Sequence, residues 1–157
     1  MIKIIENRLN MNKNIEPVEL SYYQLSLQSF LKDSHPELAN DSEFIASRGD
    51  LAIQTYSQSI KAGQSHNHAE ALASEVLYSG LYFSKHDTIV NVLWNEFYLE
   101  VPQGSAQNMA QKLLAYCEGI FAKYPLSDDF AYEPEFNQLY TELTGTIVLW
   151  MEEHELQ

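Results

Sequence analysis

The chain has 157 residues, of which 45% are apolar and 20% charged, with 6 Gly and 5 Pro. That mix suits a globular fold and excludes collagen-like, low-complexity and disordered classes; at this length roughly 70% of the unfolded surface becomes buried, so a core needs neither disulfide nor metal. Nine bases against 22 acids give a net charge of −13, which argues against nucleic-acid binding, a task that requires Lys and Arg to neutralise phosphates.

Residues 1–16 read as an N-terminal extension, with a small apolar set (Ile2, Ile4, Ile5, Leu9) and three bases (Lys3, Arg8, Lys13). Its apolar run is too short for a signal peptide, and no run in the chain approaches the ~18 apolar residues that cross a bilayer. The reading is a cytoplasmic protein with no membrane partner. Met11 is an alternative start to Met1.

From residue 17 the apolar period is helical nearly throughout. Pro17 suits the first position of helix one, Leu20, Tyr23, Leu27, Phe30 and Leu31 share one face, and Pro36 ends it. Leu25-Ser-Leu alternates as a strand would. Asn40 and Glu43 have capping-box spacing for helix two, whose stripe is Phe44, Ile45, Leu51, Ala52, Tyr56 and Ile60. Gly63 ends this helix in a left-handed conformation, and Gly49 inside it marks a close helix crossing. Ser65 caps helix three, with Ala69, Leu72, Ala73, Val76, Leu77 and Leu81 inward. Ser84 and Asp87 form a second capping box, opening helix four with Ile89, Val90, Leu93, Trp94 and Phe97 inward. Its β-branched run from Thr88 to Trp94 is overruled by the cap and the length; Pro102 and Gly104 end it. Helix five follows Ser105 and carries Met109, Ala110, Leu113, Leu114, Cys117, Ile120 and Phe121 as far as Pro125. After a loop over 125–133, Pro134 opens helix six with Phe136, Leu139, Tyr140, Leu143, Ile147, Trp150 and Met151 inward. The expectation is an all-α fold, about 70% helix against a base rate of roughly a third. It is drawn as a single compact bundle of about six helices over 17–157, with no solenoid repeat.

The acidity is uneven. Residues 1–62 carry a net of −2 and residues 63–123 a net of −3, whereas residues 124–157 hold eight acids and no base. Such a segment supports solubility or offers an acidic face to a basic partner. The single cysteine, Cys117, forms no intrachain disulfide and reads as a buried structural thiol.

Several segments carry a family resemblance: Leu20-Ser-Tyr-Tyr-Gln-Leu-Ser-Leu, Ser34-His-Pro-Glu-Leu, Phe83-Ser-Lys-His-Asp-Thr, Leu93-Trp-Asn-Glu-Phe, Phe121-Ala-Lys-Tyr-Pro-Leu-Ser-Asp-Asp-Phe and Tyr140-Thr-Glu-Leu-Thr-Gly-Thr-Ile. Over about residues 18–156 the chain resembles a domain-of-unknown-function family of short helical proteins from Bacteroidales and relatives. The resemblance implies a fold and a lineage rather than a reaction, and a setting among the DNA-processing genes of conjugative elements.

Motifs that carry chemistry are few. His66 and Glu70 stand four apart on one helix face, as metal ligands often do, but His68 points elsewhere and a zinc site needs three or four ligands. No metal or other cofactor is expected. His66-Asn-His68 spells the name of a nuclease family whose residues are spread over a ββα unit, which this acidic helical chain does not provide. Glu96 and Glu100, also four apart, are the paired carboxylates of any acid–base reading. Glu152, Glu153 and Glu155 around His154 make a charged helix end. The chain has 19 aromatics, ten of them Tyr, and Tyr22, Tyr78, Tyr82, Tyr98 and Tyr132 fall off the apolar stripes, where exposed tyrosines favour protein interfaces.

The preferred reading is therefore a non-enzymatic interaction or accessory protein with a protein partner, no direct nucleic-acid binding, and self-association as a twofold homodimer ordered by residues 1–14. An acidic DNA mimic that occupies a DNA-binding enzyme is the second reading. A small hydrolase or metal-dependent enzyme using His66, Glu70, Glu96 or Glu100 is the third.

Overall fold

Ser21 opens the first helix of the computed structural model, which describes residues 21–155. The N-terminal extension, Pro17 and Leu20 lie outside the described residues. Seven α-helices follow among those described: α1 (Tyr22–Ser34), α2 (Ser42–Lys61), α3 (His66–Tyr78), α4 (Lys85–Glu96), α5 (Ala106–Tyr116), α6 (Glu118–Phe121) and α7 (Glu135–Glu155). Three 3₁₀ turns lie between them, and none of the described residues is in a strand. The all-α class is as expected. No boundary is legible within 17–157, yet the chain divides into two compact units, Met1–Ser79 and Gly80–Gln157.

In the first unit, Ser21 and Gln24 form a reciprocal capping box, and α1 starts at Tyr22. Its Tyr23, Leu27 and Leu31 are buried. The next cap corrects the sequence reading by one residue: Asp41, not Asn40, accepts the Phe44 N–H at 3.0 Å and starts α2. Gly63 has φ +92°, the left-handed value expected after α2. Leu51 and Ile60 turn out exposed, leaving Ile45, Ala52 and Ile53 as the inner stripe. Ala69, Ala73 and Leu77 of α3 are buried, and the two small alanines let α3 lie close to α2. Arg48 completes this pairing. Its Nη1 donates to the carbonyls of Val76, Leu77 and Ser79 at 3.3, 3.1 and 2.7 Å, a cation at the carbonyl end of α3.

In the second unit, Ser84 caps α4 by accepting the Asp87 N–H at 2.9 Å. The helix ends at Glu96, well before Pro102, because Phe97 turns the chain and the N–H groups of Glu100 and Val101 both donate to its carbonyl. Trp94 lies outside the core, half-exposed, with Nε1 donating to the Gln103 carbonyl at 3.3 Å. The expected fifth helix is two pieces, α5 and α6, separated at Cys117 (φ −96°, ψ 2°). The core joins Ile89, Val92 and Leu93 of α4, Ala110 and Leu113 of α5, Phe121 of α6, and Leu139, Leu143 and Ile147 of α7, with Phe130 from the 125–133 loop.

Cys117 is fully buried in that core, and burial pushes its thiol up to about 11. A rise of two pKa units lowers the reactive thiolate about a hundredfold. The native protein should therefore react with a thiol reagent at pH 8 at least that much more slowly than the denatured chain; equal rates in a stopped-flow assay would contradict the burial.

Candidate functional site

The side chains singled out from the sequence fall into two groups, one in each unit. His66 and Glu70 lie in the first two turns of α3, whose start is fixed by Ser65 accepting the His68 N–H at 3.1 Å. His66 Nδ1 is 2.7 Å from the Tyr56 hydroxyl of α2, and the two rings meet edge-on. Glu70 accepts the hydroxyl of Tyr23 from α1 at 2.9 Å. Although they share a face, the histidine and the glutamate are thus taken up by different tyrosines. Tyr23 is buried, and burial, then its hydrogen bond to Glu70 and that carboxylate's charge, push its phenol above the usual value. The result is a brace across three helices. Among the described residues, no group of three or more His, Cys, Asp or Glu is placed to hold a metal ion.

Glu96 and Glu100 are not a helical pair. Glu96 is the last residue of α4 and Glu100 stands in the following turn, because the helix stops at Phe97. Glu96 accepts the Tyr140 hydroxyl of α7 at 3.0 Å, and that hydroxyl accepts from Asn95 Nδ2 at 3.3 Å. Partial burial raises the Tyr140 phenol; Asn95 acts in the opposite sense, and Glu96 adds to the rise. A phenol held in its neutral form is a poor base and a poor nucleophile. The arrangement ties α4 to α7.

Two further clusters have no counterpart in the sequence reading. Glu142 of α7 accepts from both Lys123 Nζ and the Tyr124 hydroxyl. These two donors, Lys123 first, hold the Glu142 carboxyl below its ordinary range, while Tyr124 is pushed up to about 12 by burial and by Glu142. A carboxylate with a depressed folded pKa adds stability above its unfolded value near 4.3, and that contribution is lost as pH falls through the folded value. Glu142→Gln should therefore lower the urea midpoint at pH 7, with the difference from wild type shrinking as pH falls below the unfolded value of about 4.3. A difference that stays constant throughout the acid titration would show that the carboxylate is not the source. The second cluster is Asp128, whose two oxygens accept the backbone N–H groups of Gly80 and Tyr82 at 2.9 and 3.0 Å. Gly80 itself has φ +81°.

Residues 15–156 match the family model described as domain of unknown function DUF1896. The chain belongs to the DUF1896 family. This DUF1896 chain is similar to the crystal structure of protein PG0816 from Porphyromonas gingivalis, a member of the Bacteroidales, with 45% sequence identity and a TM-score of 0.82. The likeness covers 88% of this chain and 95% of that one, in keeping with the lineage its motifs imply. No curated protein matches the sequence significantly. No described helix of the DUF1896 chain is long and apolar enough to cross a membrane.

The DUF1896 surface displays several large aromatic and aliphatic side chains. Tyr22, Tyr82, Tyr98 and Tyr132 are exposed, as their position off the stripes suggests, whereas Tyr78 packs edge-on against Phe30 at 5.1 Å. Leu99, which no periodicity argument singles out, is 82% exposed beside Tyr98 and close in sequence to Trp94. Among the described residues, this segment of the DUF1896 chain places three large exposed side chains within six positions.

Proposed function

We propose that this protein is a non-enzymatic interaction module of the cytoplasm, an accessory protein that works by binding another protein. The observation that carries the reading is the end of α4, where Trp94, Tyr98 and Leu99 are exposed within six residues. Large exposed apolar side chains grouped on a well-held turn are characteristic of recognition surfaces. Tyr and Trp also bring contact area at low entropic cost. His66, Glu70 and Glu96, from which an enzyme reading would draw its groups, are each engaged by a tyrosine hydroxyl that braces helices. The setting among DNA-processing genes implied by the resemblance is compatible with a partner that itself handles DNA.

The test is a comparative capture from the native host. Wild type and the Tyr98→Ala/Leu99→Ala double variant are used as baits at equal concentration. A partner retained by wild type and lost from the variant, with the melting temperature unchanged, is the expected result. Identical capture by both baits would remove the reading.

A further inference from the structure

The end of α4 also carries chemistry that restricts its partner. Within residues 94–100 only Phe97 is buried, leaving Trp94, Asn95, Glu96, Tyr98, Leu99 and Glu100 exposed. The turn beneath them is firmly held. The N–H groups of Glu100 and Val101 donate to the Phe97 carbonyl at 3.0 and 2.9 Å, and both Phe97 and Val101 are core residues. Trp94 is oriented by its bond to the Gln103 carbonyl, and Asn95 and Glu96 are tied to Tyr140. Tyr98 and Leu99 therefore project from a fixed platform.

The charged side chains within this segment are of one sign. Residues 94–100 contain two carboxylates, Glu96 and Glu100, and no base. The carbonyl end of α4 adds partial negative charge at the same place. Residues 80–157 include only three basic side chains, Lys85, Lys112 and Lys123, and two of these are paired, Lys85 with Glu118 and Lys123 with Glu142.

Resting on the interaction reading above, we infer that this surface docks a basic amphipathic segment of a partner protein. Arg or Lys of that segment pairs with Glu96 and Glu100, and its aliphatic side chains cover Trp94, Tyr98 and Leu99. Arginine fits best, since its planar guanidinium both engages carboxylates and stacks on aromatic faces. An acidic segment meets like charge here, and so does a nucleic-acid backbone.

The probe is a set of three helical peptides of equal length. All share one leucine face, and the opposite face is built from Arg, Gln or Glu. Each is titrated into the isotope-labelled full chain and followed by amide and indole chemical shifts. The Arg peptide is expected to perturb residues 94–100, with affinity falling as salt rises. Glu100→Lys and Tyr98→Ala/Leu99→Ala should each weaken it about tenfold, with circular dichroism and melting temperature unchanged. If the Gln or Glu peptide binds the same residues as tightly, the basic-partner inference is overturned while the interaction reading stands. If no peptide perturbs residues 94–100, the basic-partner inference is overturned, and the interaction reading then stands or falls on the capture experiment alone.

Discussion

Gly49→Ala is expected to destabilise the first unit, even though alanine is the better helix former by about 1 kcal/mol. Gly49 lies buried within α2, and a Cβ there would stand 2.5 Å from Cγ of Gln24 on α1. Gln24 cannot step aside cheaply. It is buried, its Oε1 accepts the Ser21 N–H at 3.3 Å, and its own N–H donates to Ser21 Oγ at 3.2 Å. The new methyl therefore overpacks a helix crossing, at a cost of about 1–3 kcal/mol. It also strains the cap of α1, a feature whose complete loss costs about 0.5–2 kcal/mol. These costs exceed the propensity gain, and a net loss of about 1–3 kcal/mol follows. Urea denaturation measures it. Gln24→Ala in the same chain should recover part of the loss, because the two positions share one volume. A Gly49→Ala protein as stable as wild type would show that the crossing is looser than 2.5 Å implies.

The second large effect belongs to Phe130. This residue sits in the 3₁₀ turn Phe130–Tyr132, within the loop that leads to α7, yet it is fully buried. Its ring meets Phe83 at 5.4 Å, Tyr124 at 5.8 Å and Phe136 at 6.3 Å, with the two phenylalanines edge-on. Phe130→Ala removes the shared partner of three aromatic contacts and leaves a cavity, for a loss of about 3–5 kcal/mol. That is a large fraction of what a domain of this size holds in reserve. Tyr132, two residues on, is 88% exposed, and Tyr132→Ala should stay within about 0.5 kcal/mol of wild type. Thermal unfolding of the pair tests the contrast; comparable losses would mean that the loop, rather than the ring, is what the second unit depends on.

The Phe130 case shows where sequence reading stops. Phe130 has no periodic neighbours, so nothing local separates it from an exposed loop aromatic such as Tyr132. Its ring is enclosed by Phe83, 47 residues away, together with Tyr124 and Phe136 on either side of the loop. The Glu96 brace is similar: Tyr140 lies on the apolar stripe of α7 and reads as core, yet its hydroxyl meets Glu96 from 44 residues away. Tyr23 and Glu70 are 47 apart, and Gly80 and Asp128 are 48 apart. A tyrosine on a stripe signals that its ring is inward and that its oxygen needs a partner. It does not say which partner.

Local structure is legible in the chain's residues. Helix identity follows from spacings of three and four residues, and the caps at Ser65 and Ser84, the left-handed Gly63 and the crossing glycine Gly49 follow from chemistry within a turn or from the lack of a side chain. The burial of Cys117 was legible for the same reason, since its apolar neighbours on one face are read directly. Long-range packing selects the remainder: Asp41 over Asn40 as a cap, the stop of α4 at Phe97, the break at Cys117, the division after Ser79 and the outward turn of Trp94. Each of these is a competition between alternatives that local energies leave nearly equal. A capping residue one position away or an aromatic at a stripe's edge differs by about 1 kcal/mol or less in isolation. Packing against helices distant in sequence supplies several times that, and so it selects among them.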